Sequence, residues 1–186
     1  MDLRYLMYLC IIAAVPSDAE ITFADHAGRF YARRYAFPPM VGRLPGYLAV
    51  CDPPEQTIAE LAEALLASRS AIAQAVNALE TLHVLRRYRM AGERMDRVRL
   101  DMSSPQSQGM DISEYEGLRE LAREGLEVVR DAPAERRALL LEMSAFADFL
   151  VERIPLLQQE WMARRAALVA AGTLPDPARS RGADRS

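Results

Sequence analysis

The sequence predicts a mainly α-helical protein with a small β-hairpin wing, organised as a winged helix-turn-helix with N- and C-terminal dimerisation helices. Two short helical patterns follow each other closely between Thr57 and Glu80, and an arginine-rich hairpin around Gly92 comes next. A long apolar helical pattern fills much of the remainder. With 51% hydrophobic and 26% charged residues, the 186-residue chain has the composition of a folded soluble protein.

Two helices are expected ahead of the helix-turn-helix. In residues 23–37, apolar side chains recur at spacings of three and four, and Pro38 and Pro39 end the pattern. Residues 40–51 form a second apolar pattern, in which Pro45 is tolerated if the helix proper begins there.

Capping residues mark both helices of the helix-turn-helix. Thr57 and Glu60 form a capping-box pair, and Ser68 is a good N-cap for the second helix. The second helix is predicted to bury Ile72, Val76, Leu79 and Leu82. Its outer face carries Arg69, Ser70, Gln74 and Asn77. Arginine can pair with guanine, and glutamine or asparagine with adenine, so this helix is predicted to contact the DNA major groove.

The hairpin is strongly basic. Residues 84–99 carry six arginines against two acids, a local excess of four: Arg86, Arg87, Arg89, Arg94, Arg97 and Arg99 against Glu93 and Asp96. Near the tip, Arg94 is predicted to enter the minor groove, while Arg97 and Arg99 are expected to contact phosphates or pair with Asp96. The predicted DNA contacts are Ser68, Arg69, Ser70, Gln74, Asn77, Arg86, Arg87, Arg94 and Arg97.

The C-terminal part is predicted to be helical and acidic, with eight arginines against twelve acids in residues 102–172. Ser113 and Glu116 form a second capping-box pattern, and a long helix should run from Ala134 to about Ala171, with a kink at Pro155. Its near-heptad apolar stripe comprises Leu139, Met143, Phe146, Leu150, Ile154, Leu157, Trp161 and Leu168. This stripe is interpreted as a dimer interface, the alternative being packing within one subunit.

The N-terminal segment has three interpretations. Residues 5–15 form an apolar run too short to span a bilayer as a helix. The run could be translated from upstream of a later start, pack as an extra helix, or act as an export or membrane signal. The expected organisation is an apolar extension (1–20), a winged helix-turn-helix with its leading helix (21–103), a helical dimerisation region (104–172) and a disordered tail (173–186).

No catalytic, metal or cofactor site is predicted. Cys10 and Cys51 provide neither a disulfide framework nor metal-ligand spacing, and His26 and His83 have no ligand partners in register. Phosphate-binding glycine loops and nucleophile elbows are also lacking, so an enzyme is not expected.

These pieces together resemble the MarR superfamily of bacterial winged-helix regulators, and most closely its GbsR-type branch. The resemblance covers about residues 23–170, and its most specific part runs from Gly46-Tyr47-Leu48 through Cys51-Asp52-Pro53-Pro54 to Gln56. It implies a cytoplasmic homodimer that binds a pseudo-palindromic operator in double-stranded DNA and regulates transcription, with a small-molecule effector in some members. Here no effector site can be matched. The turn before the second helix, which usually contains glycine, is Leu66-Ala67 in this chain.

Other functions remain open on the sequence alone. A winged helix can instead grip a protein, with the long helix as a scaffold and no reading of DNA sequence. A membrane-tethered regulator would use residues 5–15, although no membrane partner is expected.

Overall fold

The computed structural model describes residues 15–89, 92 and 94–175. The expectations for residues 1–14 and 176–186 therefore lie outside the described residues. The described elements are α1 (Asp18–Tyr35), α2 (Pro39–Leu48), β1 (Gln56–Thr57), α3 (Ile58–Ala64), α4 (Arg69–Thr81), β2 (Leu85–Tyr88), β3 (Arg97–Leu100), α5 (Ile112–Val128) and α6 (Ala134–Ala170). They divide into two compact units between Ser107 and Gln108. The predicted class, mainly helical with a small antiparallel sheet, is confirmed.

Helix α1 begins five residues earlier than the apolar spacing predicts. The cause is a capping box, in which the Glu20 N–H donates to Ser17 Oγ and the Ser17 N–H donates to Glu20 Oε2. These contacts satisfy two N–H groups at the helix start. The Ser17 N–H and the Ser17 hydroxyl both donate to the Glu20 carboxylate and lower the pKa of Glu20 below its usual value. The helix ends at Ala36, which adopts a left-handed conformation ahead of the two prolines.

Glycines allow α1 and α2 to approach each other very closely. A Cβ placed on Gly46 would lie 2.4 Å from Ala27 Cβ, and one on Gly42 would lie 3.0 Å from Gly28 Cα. Pro45 lies inside α2 rather than at its start, because the helix already begins at Pro39. The first turn is suited to proline, which has no N–H to leave unpaired there.

The predicted hairpin of β2 and β3 is present, and a third strand extends it to an antiparallel sheet of order β1-β3-β2. Strand β3 pairs with β2 on one side and with the two-residue β1 on the other. The added strand places Thr57 opposite Arg97. The wing is therefore anchored to the residues that begin α3.

The core of the first unit lies among α1 to α4 and the sheet. Its largest fully buried side chains are Leu44, Leu61, Leu65, Ile72, Leu79, Val76 and Val98. Leu82, predicted to be buried, is 41% exposed. It is the C-cap of α4, and the chain reverses there through His83 with φ of 56°, so the helical spacing no longer determines its direction.

The second unit consists mainly of α5 and α6. The N-cap of α5 is Asp111, whose carboxylate accepts from the Ser113 N–H, and not Ser113 as the capping-box pattern predicts. Helix α6 runs through Pro155 and ends within one residue of the predicted position. Gly125 lies against Leu140 and allows α5 and α6 to approach closely. None of the helices in the described ranges has the combined length and hydrophobicity of a membrane span.

Candidate nucleic-acid interface

Helix α4 has one buried face and one exposed polar face. Ile72, Val76 and Leu79 are each at most 2% exposed and fix the helix in the core. On the exposed side lie Arg69, Ser70, Gln74 and Asn77. Residues 70, 74 and 77 share one side of the helix, because spacings of three and four return to the same face.

Ser68 performs the predicted capping role. Its Oγ accepts from the Ala71 N–H at 3.1 Å and lies 3.0 Å from Ser70 Oγ. Both serines lie at the first turn of α4, where free N–H groups and the helix dipole favour a phosphate. The hydroxyls of Ser68 and Ser70 are therefore partly engaged with the helix start and with each other.

Most wing arginines have acidic partners. Arg86 Nη2 lies 2.9 Å from Asp101 Oδ2, although 65% of the Arg86 side chain stays exposed. Arg89 Nε lies 2.7 Å from Asp96 Oδ1 and lowers the pKa of Asp96. Asp96 therefore pairs with Arg89, and not with Arg97 or Arg99 as one sequence-based expectation had it. The wing carries less uncompensated positive charge than the arginine count alone suggests.

Arg97, another predicted DNA contact, forms bonds within the first unit. Its side chain is only 12% exposed, and Nη1 lies 3.3 Å from Glu60 Oε2 and 3.2 Å from the Glu55 carbonyl oxygen. The same Glu60 carboxylate caps α3 by accepting from the Thr57 N–H at 2.6 Å. Arg97 thus joins β3 to the start of α3, and a DNA contact from its guanidinium would have to compete with these bonds.

Two further arginines contact groups on neighbouring elements. Arg99 lies over the Tyr88 ring at 5.4 Å and 3.7 Å from Glu55 Oε1. Burial raises the pKa of Tyr88 to about 12. Arg87 of β2 reaches α4, where its Nη2 donates to Asn77 Oδ1 and to Glu80 Oε2, each at 3.0 Å. Two predicted DNA contacts, Asn77 and Arg87, are therefore bonded to each other.

Arg94 is exposed close to the wing tip. Among the described residues it is the wing arginine without an acidic partner, while residues 90, 91 and 93 lie outside the description. Four acidic partners of the wing arginines were not predicted from the sequence: Glu55, Glu60, Glu80 and Asp101. For some of these pairs the sequence did contain a signal, because acidic residues at the ends of the preceding helices come before the arginine-rich strands.

The known proteins to which this chain is similar are transcriptional regulators. Residues 109–164 match the model of the MmpR5-like MarR family transcriptional regulators. The chain is 34% identical over 122 residues to the HTH-type transcriptional regulator MmpR5 of Mycobacterium tuberculosis, which covers 65% of this chain and 73% of that protein. A crystal structure of a transcriptional regulator aligns with a TM-score of 0.72 and 28% identity, over 78% of this chain and 99% of that one.

Proposed function

Because this chain belongs to the MarR family of transcriptional regulators, we propose that it binds double-stranded DNA sequence-specifically as a homodimer. Its relatives are regulators and not enzymes, as the sequence predicts. In this proposal α4 lies in the major groove with the wing beside it. Two half-sites about one helical turn apart would match the two-fold axis of the dimer. A regulator of this kind acts on cytoplasmic DNA, so we infer a cytoplasmic location.

The two-faced character of α4 is the observation that carries the proposal. Gln74 and Asn77 are exposed, while Ile72 and Val76 on the other side are completely buried. Amide side chains on a rigid, well-packed helix can form directional hydrogen bonds with base edges. The wing next to this helix supplies exposed arginines, which suit the phosphate backbone.

The ion pairs limit how many arginines can neutralise phosphates. Arg69 and Arg94 are exposed, and Arg86 keeps most of its side chain in solvent. If these three act in each subunit, the dimer neutralises six phosphates, and the logarithm of affinity should fall against the logarithm of salt with a slope of about −5. A slope near twice that value would mean that the paired wing arginines leave their carboxylates on binding.

Exposed apolar side chains on the second unit support the dimer. Leu139, Phe146 and Leu157 of the predicted stripe are 68%, 54% and 52% exposed, whereas Ile154 is buried. The stripe is thus divided between packing within the subunit and a face that a second copy can cover.

A ligand could regulate DNA binding only by preferring one spacing of the two winged helices.

We also propose the finer assignment to the GbsR-type branch. It depends on the run from Gly46 to Gln56, in which Tyr47, Leu48 and Cys51 are buried in the core. No effector is proposed with this assignment.

The direct test is binding of the purified protein to the duplex upstream of its own gene, titrated in salt beside a random duplex of equal length. Specific binding that weakens steeply with salt is the expected result. Equal weak binding to both duplexes would contradict the proposal and favour a winged helix that grips a protein.

A further inference from the structure

A wing arginine holds the side-chain amide of Asn77. Arg87 Nη2 lies 3.0 Å from Asn77 Oδ1, and the Asn77 side chain is exposed on the outer face of α4. Glu80, one turn further along α4, accepts from Arg87 Nη2 at 3.0 Å and from Nε at 3.3 Å. The guanidinium is therefore fixed by two contacts to the carboxylate and presents a third hydrogen bond to the amide.

This arrangement determines which way the amide faces. Arginine has donors and no acceptor, so the atom of Asn77 nearest to it must be the carbonyl oxygen. The NH₂ group consequently lies on the side of the amide away from Arg87. Glu80 and Arg87 are each 30% exposed, which makes this contact less screened than a fully exposed one.

We propose that Asn77 reads DNA as a hydrogen-bond donor, and that Arg87 and Glu80 are positioning residues that fix its amide. The inference rests on the proposed function. Bidentate pairing with adenine needs both the oxygen and the nitrogen of the amide at the base edge. Turning Oδ1 toward a base would compete with the 3.0 Å contact with Arg87. Held in place, the NH₂ group favours guanine, which offers the adjacent acceptors N7 and O6, or thymine with its O4, over adenine, whose single acceptor N7 lies beside the N6 donor.

The position of Glu80 supports this interpretation. An acid near a DNA-facing helix surface repels phosphates, so its charge alone lowers affinity for any sequence. Its two contacts with Arg87 offset this loss of affinity, because they orient the guanidinium that in turn holds the Asn77 amide. The predicted effect of Glu80 is therefore on discrimination between sequences more than on total affinity.

The test selects binding sites from a randomised duplex library with the full-length protein and then measures affinities for the selected site and its single-base variants. We expect guanine or thymine at the base pair whose preference depends on Asn77. Asn77→Asp keeps an oxygen toward Arg87 but removes the donor, and should lower discrimination at that base pair roughly fivefold, as for one neutral hydrogen bond. Glu80→Ala should lower it similarly, with adenine becoming better tolerated, while affinity for random DNA rises.

Glu55→Ala is the matched control, because Glu55 pairs with Arg99 of the wing at 3.7 Å and its removal changes the charge equally. It should raise affinity for random DNA without changing discrimination at the Asn77 position. Adenine as the preferred base there, or an unchanged base preference in Glu80→Ala, would overturn the inference. So would an equal loss of affinity for all sequences, which is what a purely structural role predicts. Absence of any enriched sequence would instead refute the proposed function itself.

Discussion

Leu66 lies in the turn between α3 and α4 with φ of 51° and a side chain that is 95% exposed. The Leu66 N–H donates to the Glu63 carbonyl at 3.2 Å, and the Ala67 N–H donates to the Ala62 carbonyl at 2.9 Å. These two bonds form a Schellman motif, in which glycine is favoured at the left-handed position. The turn therefore keeps the helix-ending geometry expected of glycine, with the strain of a Cβ added.

We predict that Leu66→Gly stabilises the protein by about 1 kcal/mol, because glycine removes the Cβ clash of the left-handed conformation. The free energy of unfolding, measured by urea denaturation followed by circular dichroism, tests this. Leu66→Ala is the control, since it removes the exposed apolar side chain but keeps the Cβ. Equal stabilisation by both variants would show that exposure of the leucine, and not its backbone conformation, is the destabilising feature.

The close contact between α1 and α2 depends on the lack of a side chain at glycine. A methyl group on Gly46 would meet Ala27 Cβ at 2.4 Å, far inside contact distance. Gly46→Ala should therefore destabilise the protein by about 1–2 kcal/mol, despite the better helix propensity of alanine. The loss should show as a lower midpoint of urea unfolding.

A double-mutant cycle separates this clash from other effects of the substitution. Ala27→Gly alone should cost about 1 kcal/mol in helix propensity, but it also removes the methyl group that Gly46→Ala would meet. The double variant should therefore be more stable than the sum of the single changes predicts. Strict additivity would mean that the helices separate freely and that their close approach contributes nothing.

Some of these elements could be predicted from the sequence and others could not. The capping box of α3 was predictable because Thr57 and Glu60 are three residues apart and precede an apolar helical pattern. Strand β1 was not, because two residues carry no alternation by which a strand can be recognised. The pairing of Arg97 with Glu60 joins residues 37 positions apart, and it depends on the register that β1 creates. The exposed residues of α4 could be predicted, whereas the partners of the wing arginines required the fold.

Charge and exposed apolar side chains are distributed differently over the two units. The first unit carries the basic wing and the polar face of α4, whereas residues 102–172 have four more acids than arginines. Acidic helices disfavour contact with the phosphate backbone. Their exposed apolar side chains therefore suit an interface with a second subunit better than one with DNA.

We therefore expect assembly to depend on the exposed stripe of α6. Changing both Leu139 and Phe146 to glutamate places two charges on the exposed stripe of α6, and should convert the proposed dimer to monomer, as measured by sedimentation velocity. The variant should keep its helical circular dichroism, because both side chains are more than half exposed in the single chain. Operator affinity should fall with the dimer, since one half-site alone provides half of the contacts. Gln159→Glu, an exposed position on a different face of α6, is the charge control and should remain dimeric. A double variant that still sediments as a dimer would exclude this stripe as the interface.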